Sequence, residues 1–416
     1  MPPKRKSAPG GDSSKSGRSS KKTATSNGNS NDKENNSRNN SPVFDHSRVE
    51  ERYGIVQREF YPPEMSSERC EMYIADEIPR PIEVLESTIE ETATARSKVK
   101  VGDAVVHWYK RDLRLLDNRG LHLASELAKK HKVPLICMFL ISPQDYKAHL
   151  TSAARVDFEL RTLEVMRKDL AELDIPLYVE TVEERKKVPD HIVKLCKGWG
   201  AKHIFCNIEY EVDELRRETL LTKKCLDNDI SFTAVHDDVV VPPGRLETGS
   251  GKQYAVYSPW YRQWVAHIHQ NPELLDAYEK PDKNPGSARQ KFKKIFDIEI
   301  PDAPDSKSLT AEEKKRFVHL WPAGEHEAYE RLDKFLSQKI GRYKDTRNLP
   351  AANSTAVVSV HHSAGTLAAR TSVRAARDAN STKKLDGGNV GISSWISEVA
   401  WRDFYKHVLA HWPYVW

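Results

Sequence analysis

Between residues 103 and 238, short β-rich apolar runs alternate five times with helical patterns, and this alternation constrains the fold more than any other feature of the chain. The runs fall at 104–109, 134–141, 177–182, 202–207 and 231–236. Parallel strands need long crossovers between them, usually helices, so the pattern predicts an α/β fold with a doubly wound, parallel, five-stranded sheet. The clearest crossover spans 152–174, where Val156, Leu160, Leu163, Met166, Leu170 and Leu173 recur at steps of three and four. Thr151 and Ser152 are its candidate caps. Ligands of such sheets sit beyond the carboxyl ends of the strands.

The flanking segments differ. Residues 1–45 hold nine Lys/Arg against four Asp/Glu, which accounts for the whole net charge of +5. The body from 46 onward is therefore balanced, and overall basicity says nothing about nucleic acid there. Residues 1–43 contain no aromatic and are expected to be disordered. Pro3-Lys4-Arg5-Lys6, with Lys21-Lys22, is a candidate nuclear import signal; a plain solubilising tail and a mitochondrial location stand as alternatives. Residues 46–101 form an extension with one helix expected over 81–95. A Pro- and charge-rich stretch, 239–325, is expected to link the α/β domain (102–238) to an all-helical part, 326–416. No run approaches the roughly 18–20 apolar residues of a membrane span. Five scattered cysteines without a C-x-x-C pair fit a reducing compartment and no zinc site.

Two phosphate-binding motifs are excluded. No G-x-G-x-x-G follows the first strand, and at Gly251-Lys252 a P-loop would need glycine at Leu246 and Ser/Thr at Gln253. His361-His362 is no metal pair, because neighbours on a helix point apart. The segment 394–412 is chemically unusual. Trp395, Glu398 and Arg402 share one helix face, and Trp401 lies on the adjacent stripe. Indoles beside an acid and a guanidinium suit a planar hydrogen-bonding ligand such as a flavin or nucleobase, although a packed aromatic core helix would read the same way.

Three motifs, in this order, resemble the photolyase/cryptochrome family. Trp108-Tyr109-Lys110-Arg111-Asp112-Leu113-Arg114, followed by Asp117-Asn118, is similar to the opening W-F-R-x-D-L-R-x-x-D-N. Asn207, Glu209-Tyr210-Glu211-Val212-Asp213-Glu214, Val241-Pro242-Pro243-Gly244 and Tyr257-Ser258-Pro259-Trp260 follow. Trp395, then Trp401-Arg402-Asp403-Phe404-Tyr405, is similar to W-x-x-E-x-x-W-R-E-F-Y. The resemblance covers about residues 103–416 and is closest to class I cyclobutane pyrimidine dimer photolyases.

The resemblance implies FAD, an antenna chromophore of the 5,10-methenyltetrahydrofolate type, and DNA containing pyrimidine dimers as substrate; a monomer is expected, and the basic N-terminal segment, not the resemblance, points to the nucleus. It places His149, Asp213 and Glu214 at the antenna, where the family more often shows Asn at the position of Asp213; read alone, Asp213-Glu214 begins a helix. For FAD it implies Tyr343, the loop Thr355-Ala356-Val357-Val358-Ser359, Trp395 and Arg402. The loop departs from the usual T-S-x-L-S, since Ala356 lacks a hydroxyl, and an ordinary cap before a helix over 359–370 is the alternative. Glu398 and Trp401 match the dimer-contacting, catalytic positions, and Arg347 and Arg402 match positions near phosphates of DNA or flavin. The implied activity is light-driven dimer splitting; a cryptochrome-type photoreceptor and an inactive remnant are the other readings. The family continues well beyond the last motif. The apolar stripe Ile396, Val399, Ala400, Phe404, Val408 and Leu409 is therefore expected to lie exposed, with little FAD retained and repair impaired.

Overall fold

A computed structural model describes residue 60 and residues 62–415. The expected basic tail and import signal lie outside the described residues. Among these, five strands form one parallel sheet: β1 (Ala104–Tyr109), β2 (Leu135–Ile141), β3 (Leu177–Thr181), β4 (Ala201–Asn207) and β5 (Ser231–Val235), in the order β3-β2-β1-β4-β5. The helices that cover it are α1 (Pro81–Glu91), α2 (Arg119–His131), α3 (Ala153–Glu172), α4 (Val188–Gly198) and α5 (Val212–Leu226). Every residue of β1 is buried, as a central parallel strand covered on both faces requires. Val106 and Trp108 join one core with Ile192 of α4 and Leu215 and Leu221 of α5. Val105 and Tyr109 join the other with Leu121 of α2 and Val156, Leu163 and Met166 of α3. Helix α3 starts where its cap predicts, with the Ser152 side chain accepting from the Arg155 amide.

The extension belongs to this core. Ile82 and Leu85 of α1 are buried in the same cluster as Leu215 and Leu221, so α1 covers the sheet layer. The described residues of the α/β and helical parts fall in one compact unit.

Helices α6 (Tyr257–Gln270), α7 (Glu325–Gln338), α8 (Ala369–Asp378) and α9 (Val390–His411) build the helical part. The segment expected as a linker supplies much of its core: Val240, Val241, Trp260 and Trp264 pack with Phe335, Trp395, Ile396, Val399, Ala400 and Phe404. This corrects the expectation of an exposed stripe on α9. Ile396, Val399, Ala400 and Phe404 are buried, and Val408 and Leu409 are half-buried. The indoles of α6 share one cluster with all of these but Leu409, which packs against the sheet core, and a Pro- and charge-rich composition concealed this. A single helix over 359–370 is also corrected. Gly365 splits it at φ 76°, leaving Ser359–Ala364 and α8. A Cβ there would stand 1.9 Å from the Arg111 carbonyl oxygen, so only glycine permits this approach of the two parts.

Buried charges join the two parts. Arg370 of α8 donates through Nε to Asp117 at 2.9 Å and through Nη2 to Asp237 at 2.7 Å, and Arg114 also pairs with Asp237. Arg114 donates to the Gly365 carbonyl at 2.9 Å as well. Each cation faces carboxylates in a low-dielectric setting, which is what keeps such a network tolerable.

Candidate functional site

Strand order reverses between β1 and β4, and the loops beyond them carry the first two motifs. Much of the opening motif is architectural. Asp112 accepts from the Lys110 amide at 2.8 Å and from the amide groups of Asn207 and Asn118 at 2.6 and 3.1 Å. Asn118 in turn caps α2. Lys110, buried, pairs with Glu218 and lies 3.6 Å from Glu209.

Beside this crevice a cleft of about 550 Å³ opens between the α/β and helical parts. Its lining includes Tyr343, Thr355, Ala356, Val357, Val358, Ser359, Trp395, Glu398 and Arg402. Every residue expected at the flavin thus borders one cavity, and Glu398 joins them. Helix α9 places Trp395, Glu398, Val399, Arg402 and Lys406 along it, the three- and four-residue spacing of one face. Trp395 is 4% exposed and packs on Phe335 at 5.3 Å between ring centroids. Tyr343 packs edge-on to Phe335 at 5.5 Å.

The loop from 355 to 359 is conformationally unusual. Val357 has φ 54°, a left-handed value that costs a β-branched residue dearly, and Val358 follows at φ −105°, ψ 6°. A left-handed residue followed by a right-handed one turns successive N–H groups toward one side, the backbone shape that receives anions. This offsets the hydroxyl missing at Ala356.

Arg402 donates to both the carbonyl and the carboxylate of Asp238, and this pairing raises its pKa despite burial. Asp238 is correspondingly lowered, its cost of burial outweighed by Arg402 and Lys406. His362 also lines the cleft, a role the sequence did not reveal. Burial, with Arg402 nearby, lowers its pKa to about 3. The neutral ring meets Ser372 Oγ at 3.2 Å through Nε2, while Nδ1 is buried without a partner. Its neighbour His361 turns away to Thr366 at 2.8 Å.

Two expected residues lie apart from the cleft lining. Arg347 pairs with Glu398 at the rim, both partly exposed. Trp401 lies against Tyr257, with ring centroids 3.5 Å apart and planes 9° apart, and it is half-exposed. Tyr257 is fixed in turn by hydrogen bonds to the Ser397 carbonyl and hydroxyl at 2.7 and 2.8 Å.

A second cavity, about 90 Å³, lies at the strand ends and is lined by His149, Glu214, Tyr146, Glu159 and Arg217 among others. His149 Nε2 and Glu214 Oε1 stand 3.0 Å apart, and this contact raises the histidine pKa against the cost of burial. Asp213 is not part of that lining; its carboxylate pairs with Arg185, which also holds Asp145 at 2.8 Å. Asp213 Oδ1 and Glu214 Oε2 are buried acceptors without hydrogen-bond partners, and only Glu214 lines the cavity.

The sequence model of the DNA photolyase family matches residues 105–281. The chain is 57% identical over 369 residues to a deoxyribodipyrimidine photo-lyase of Neurospora crassa, covering 88% of this chain and 60% of that protein. It is 28% identical to the mitochondrial deoxyribodipyrimidine photo-lyase of Saccharomyces cerevisiae, covering 88% of this chain and 66% of the relative. It thus spans about 60% of the length of the Neurospora relative. Among solved structures, a class III photolyase from Agrobacterium tumefaciens superposes with TM-score 0.59 at 21% identity, over 76% of this chain and 60% of the other. A Synechocystis cryptochrome does so with TM-score 0.60 at 19% identity, over 75% and 62%. These two share the fold. The motifs in register, the sheet order, the common cleft and the Neurospora match make this chain similar to the photolyase/cryptochrome family, whose sequence model covers residues 105–281.

Proposed function

We propose that this protein is a deoxyribodipyrimidine photo-lyase, which uses light to split cyclobutane pyrimidine dimers in DNA with FAD held in the 550 Å³ cleft. The observation that supports it most is the convergence of Tyr343, residues 355–359, Trp395 and Arg402 on that single cleft, with Glu398 in its wall and Trp401 three residues further along the helix.

When bound, FAD supplies the light-driven electron donation that opens the dimer and takes the electron back. The protein's own residues bind and orient. The turned backbone at Val357–Val358 offers N–H groups to phosphate. Trp395 and Tyr343 give an apolar wall that keeps water from a flat ring. Glu398 accepts hydrogen bonds from the N–H edge of a flipped-out dimer, and its half-exposed pairing with Arg347 is weak enough to exchange, at about 0–1 kcal/mol. Trp401, one face braced by Tyr257, stacks on the extruded bases; a damaged base costs less to unstack.

The unpartnered Oε2 of Glu214, with His149 alongside in the second cavity, supports a folate antenna of the 5,10-methenyltetrahydrofolate type, with Asp213 next to the cavity rather than in it. Residues 2–22 direct the protein to the nucleus; a fluorescent fusion lacking them that still concentrates there contradicts this.

DNA binding tests the main reading. The FAD-loaded chain should prefer an oligonucleotide with one thymine dimer over its undamaged counterpart. Glu398→Ala and Trp401→Ala should each erase about tenfold or more of that preference, the worth of a lost stack or buried hydrogen bond. Equal affinity for damaged and undamaged DNA in the unaltered chain sinks the proposal.

A further inference from the structure

Four cations line the cleft: Arg111, Arg155, Arg402 and Lys406. Three already have carboxylate partners. Arg402 pairs with Asp238, Lys406 lies 3.2 Å from Glu211 and 3.4 Å from Asp238, and Arg111 lies 3.4 Å from Glu209 and also pairs with Glu211. Arg155 differs. Its Nη2 donates to the Ser363 carbonyl at 3.1 Å, and no carboxylate among the described residues forms an ion pair with it. Burial and the nearby Arg111 both push its pKa down. Glu159, Glu211 and Glu209 pull it up without pairing with it and do not offset this, and a half-buried guanidinium without a directly paired counter-ion is costly unless an anion arrives.

Its placement is fixed from two sides. Arg155 sits in the first turn of α3, with its own amide held by the Ser152 cap at 3.3 Å. Its contact with Ser363 puts the guanidinium against the short helix that begins at Ser359, where the left-handed loop ends. Residues 355–359 and Arg155 line the same cleft. Backbone N–H groups and a planar, unneutralised fork in one cavity are complementary to phosphate oxygens.

We propose that Arg155 is a diphosphate-binding residue, contributed by the α/β part to a ligand otherwise held by the helical part. The inference rests on the reading of the cleft as an FAD site. It makes the bound dinucleotide a clamp across the two parts.

Riboflavin separates the contributions, since it has the same ring system and no phosphate. FAD and riboflavin would be titrated into the whole chain, into Arg155→Gln and into Arg155→Lys, reading flavin fluorescence. Loss of a charge-assisted contact should weaken FAD binding by R155Q roughly ten- to hundredfold. Riboflavin binding should stay within about twofold, because uncharged contacts remain. R155K, which keeps the charge without the fork, should fall between. FAD bound equally by R155Q and the unaltered chain overturns the Arg155 assignment and leaves the FAD reading standing. Equal weakening of both ligands overturns it too, by showing a merely structural role. An unaltered chain that takes up neither flavin overturns both statements.

Discussion

Tyr257 and Trp401 stack face to face, 3.5 Å between centroids and 9° between planes, and the Tyr257 hydroxyl is tied to Ser397 one turn before Trp401. The indole is thus held by a ring from α6 and cannot rock freely on its own helix. Removing the ring by Tyr257→Leu should cost about 0.5–1.5 kcal/mol of stacking beyond lost area. Its more telling effect is on recognition: affinity for dimer-containing DNA should fall several-fold while FAD affinity is unchanged. Tyr257→Phe, which keeps the ring, should retain most of the affinity. Parallel titrations of the two variants with FAD and with damaged DNA check this.

His407 makes the fold acid-sensitive. Its Nε2 donates to the Val241 carbonyl at 2.7 Å and its Nδ1 accepts from Trp260 Nε1 at 3.2 Å, so both nitrogens are committed in the neutral form. Burial lowers its pKa to about 4. A depressed histidine contributes stability that is fully present above the unfolded pKa near 6.5 and is lost as pH falls toward 4. The loss should reach about 3 kcal/mol for this one site. Urea unfolding at several pH values, with His407→Gln flattening that decline, tests it. Asp403 has the opposite sign. Burial raises its pKa to about 7, so its unfavourable contribution grows as pH rises from about 4 to 7.

The network joining the two parts is unforgiving to partial removal. Asp237 is fully buried between Arg114 and Arg370. Asp237→Ala leaves two buried guanidiniums short of a partner and should destabilise the protein by about 3–5 kcal/mol. Thermal unfolding reads this directly. A change under 1 kcal/mol would show that the pairs are not desolvated.

Val357 stores strain that glycine would release. A left-handed β-branched residue costs on the order of 1–3 kcal/mol, and the extra freedom of glycine in the unfolded chain returns about 0.5–1 of that. Val357→Gly should therefore raise stability by roughly 1 kcal/mol without lowering FAD affinity. A destabilised variant would show that the left-handed turn is not strained.

The sequence revealed those features that depend on period and spacing. The strand at 104–109 matches its apolar run, and α3 begins at the cap its Ser152 supplies. The single face of Trp395, Glu398 and Arg402 follows from helical spacing, and all three line one cleft. What was hidden depends on contacts distant in sequence. Trp260 and Trp264 sit in a stretch whose prolines and charges read as linker, yet they form the partner that buries α9. Arg155 looks like any helical arginine until its lack of a carboxylate partner is seen in three dimensions. Tyr257 announces nothing of its stacking on a residue 144 positions later. Arg347 falls on Glu398 rather than in the cleft lining; it closes the one-turn helix Tyr343–Thr346, too short to set a spacing pattern.

Repair under light tests the central claim most directly. The chain would be loaded with FAD, photoreduced without oxygen and mixed with an oligonucleotide carrying one thymine dimer, in light and in darkness. Dimers should disappear in light only, slowly if repair is impaired as the sequence suggests, and far more slowly with Glu398→Ala. A chain that holds one FAD in the cleft, binds the dimer and leaves it intact after prolonged illumination would contradict the claim.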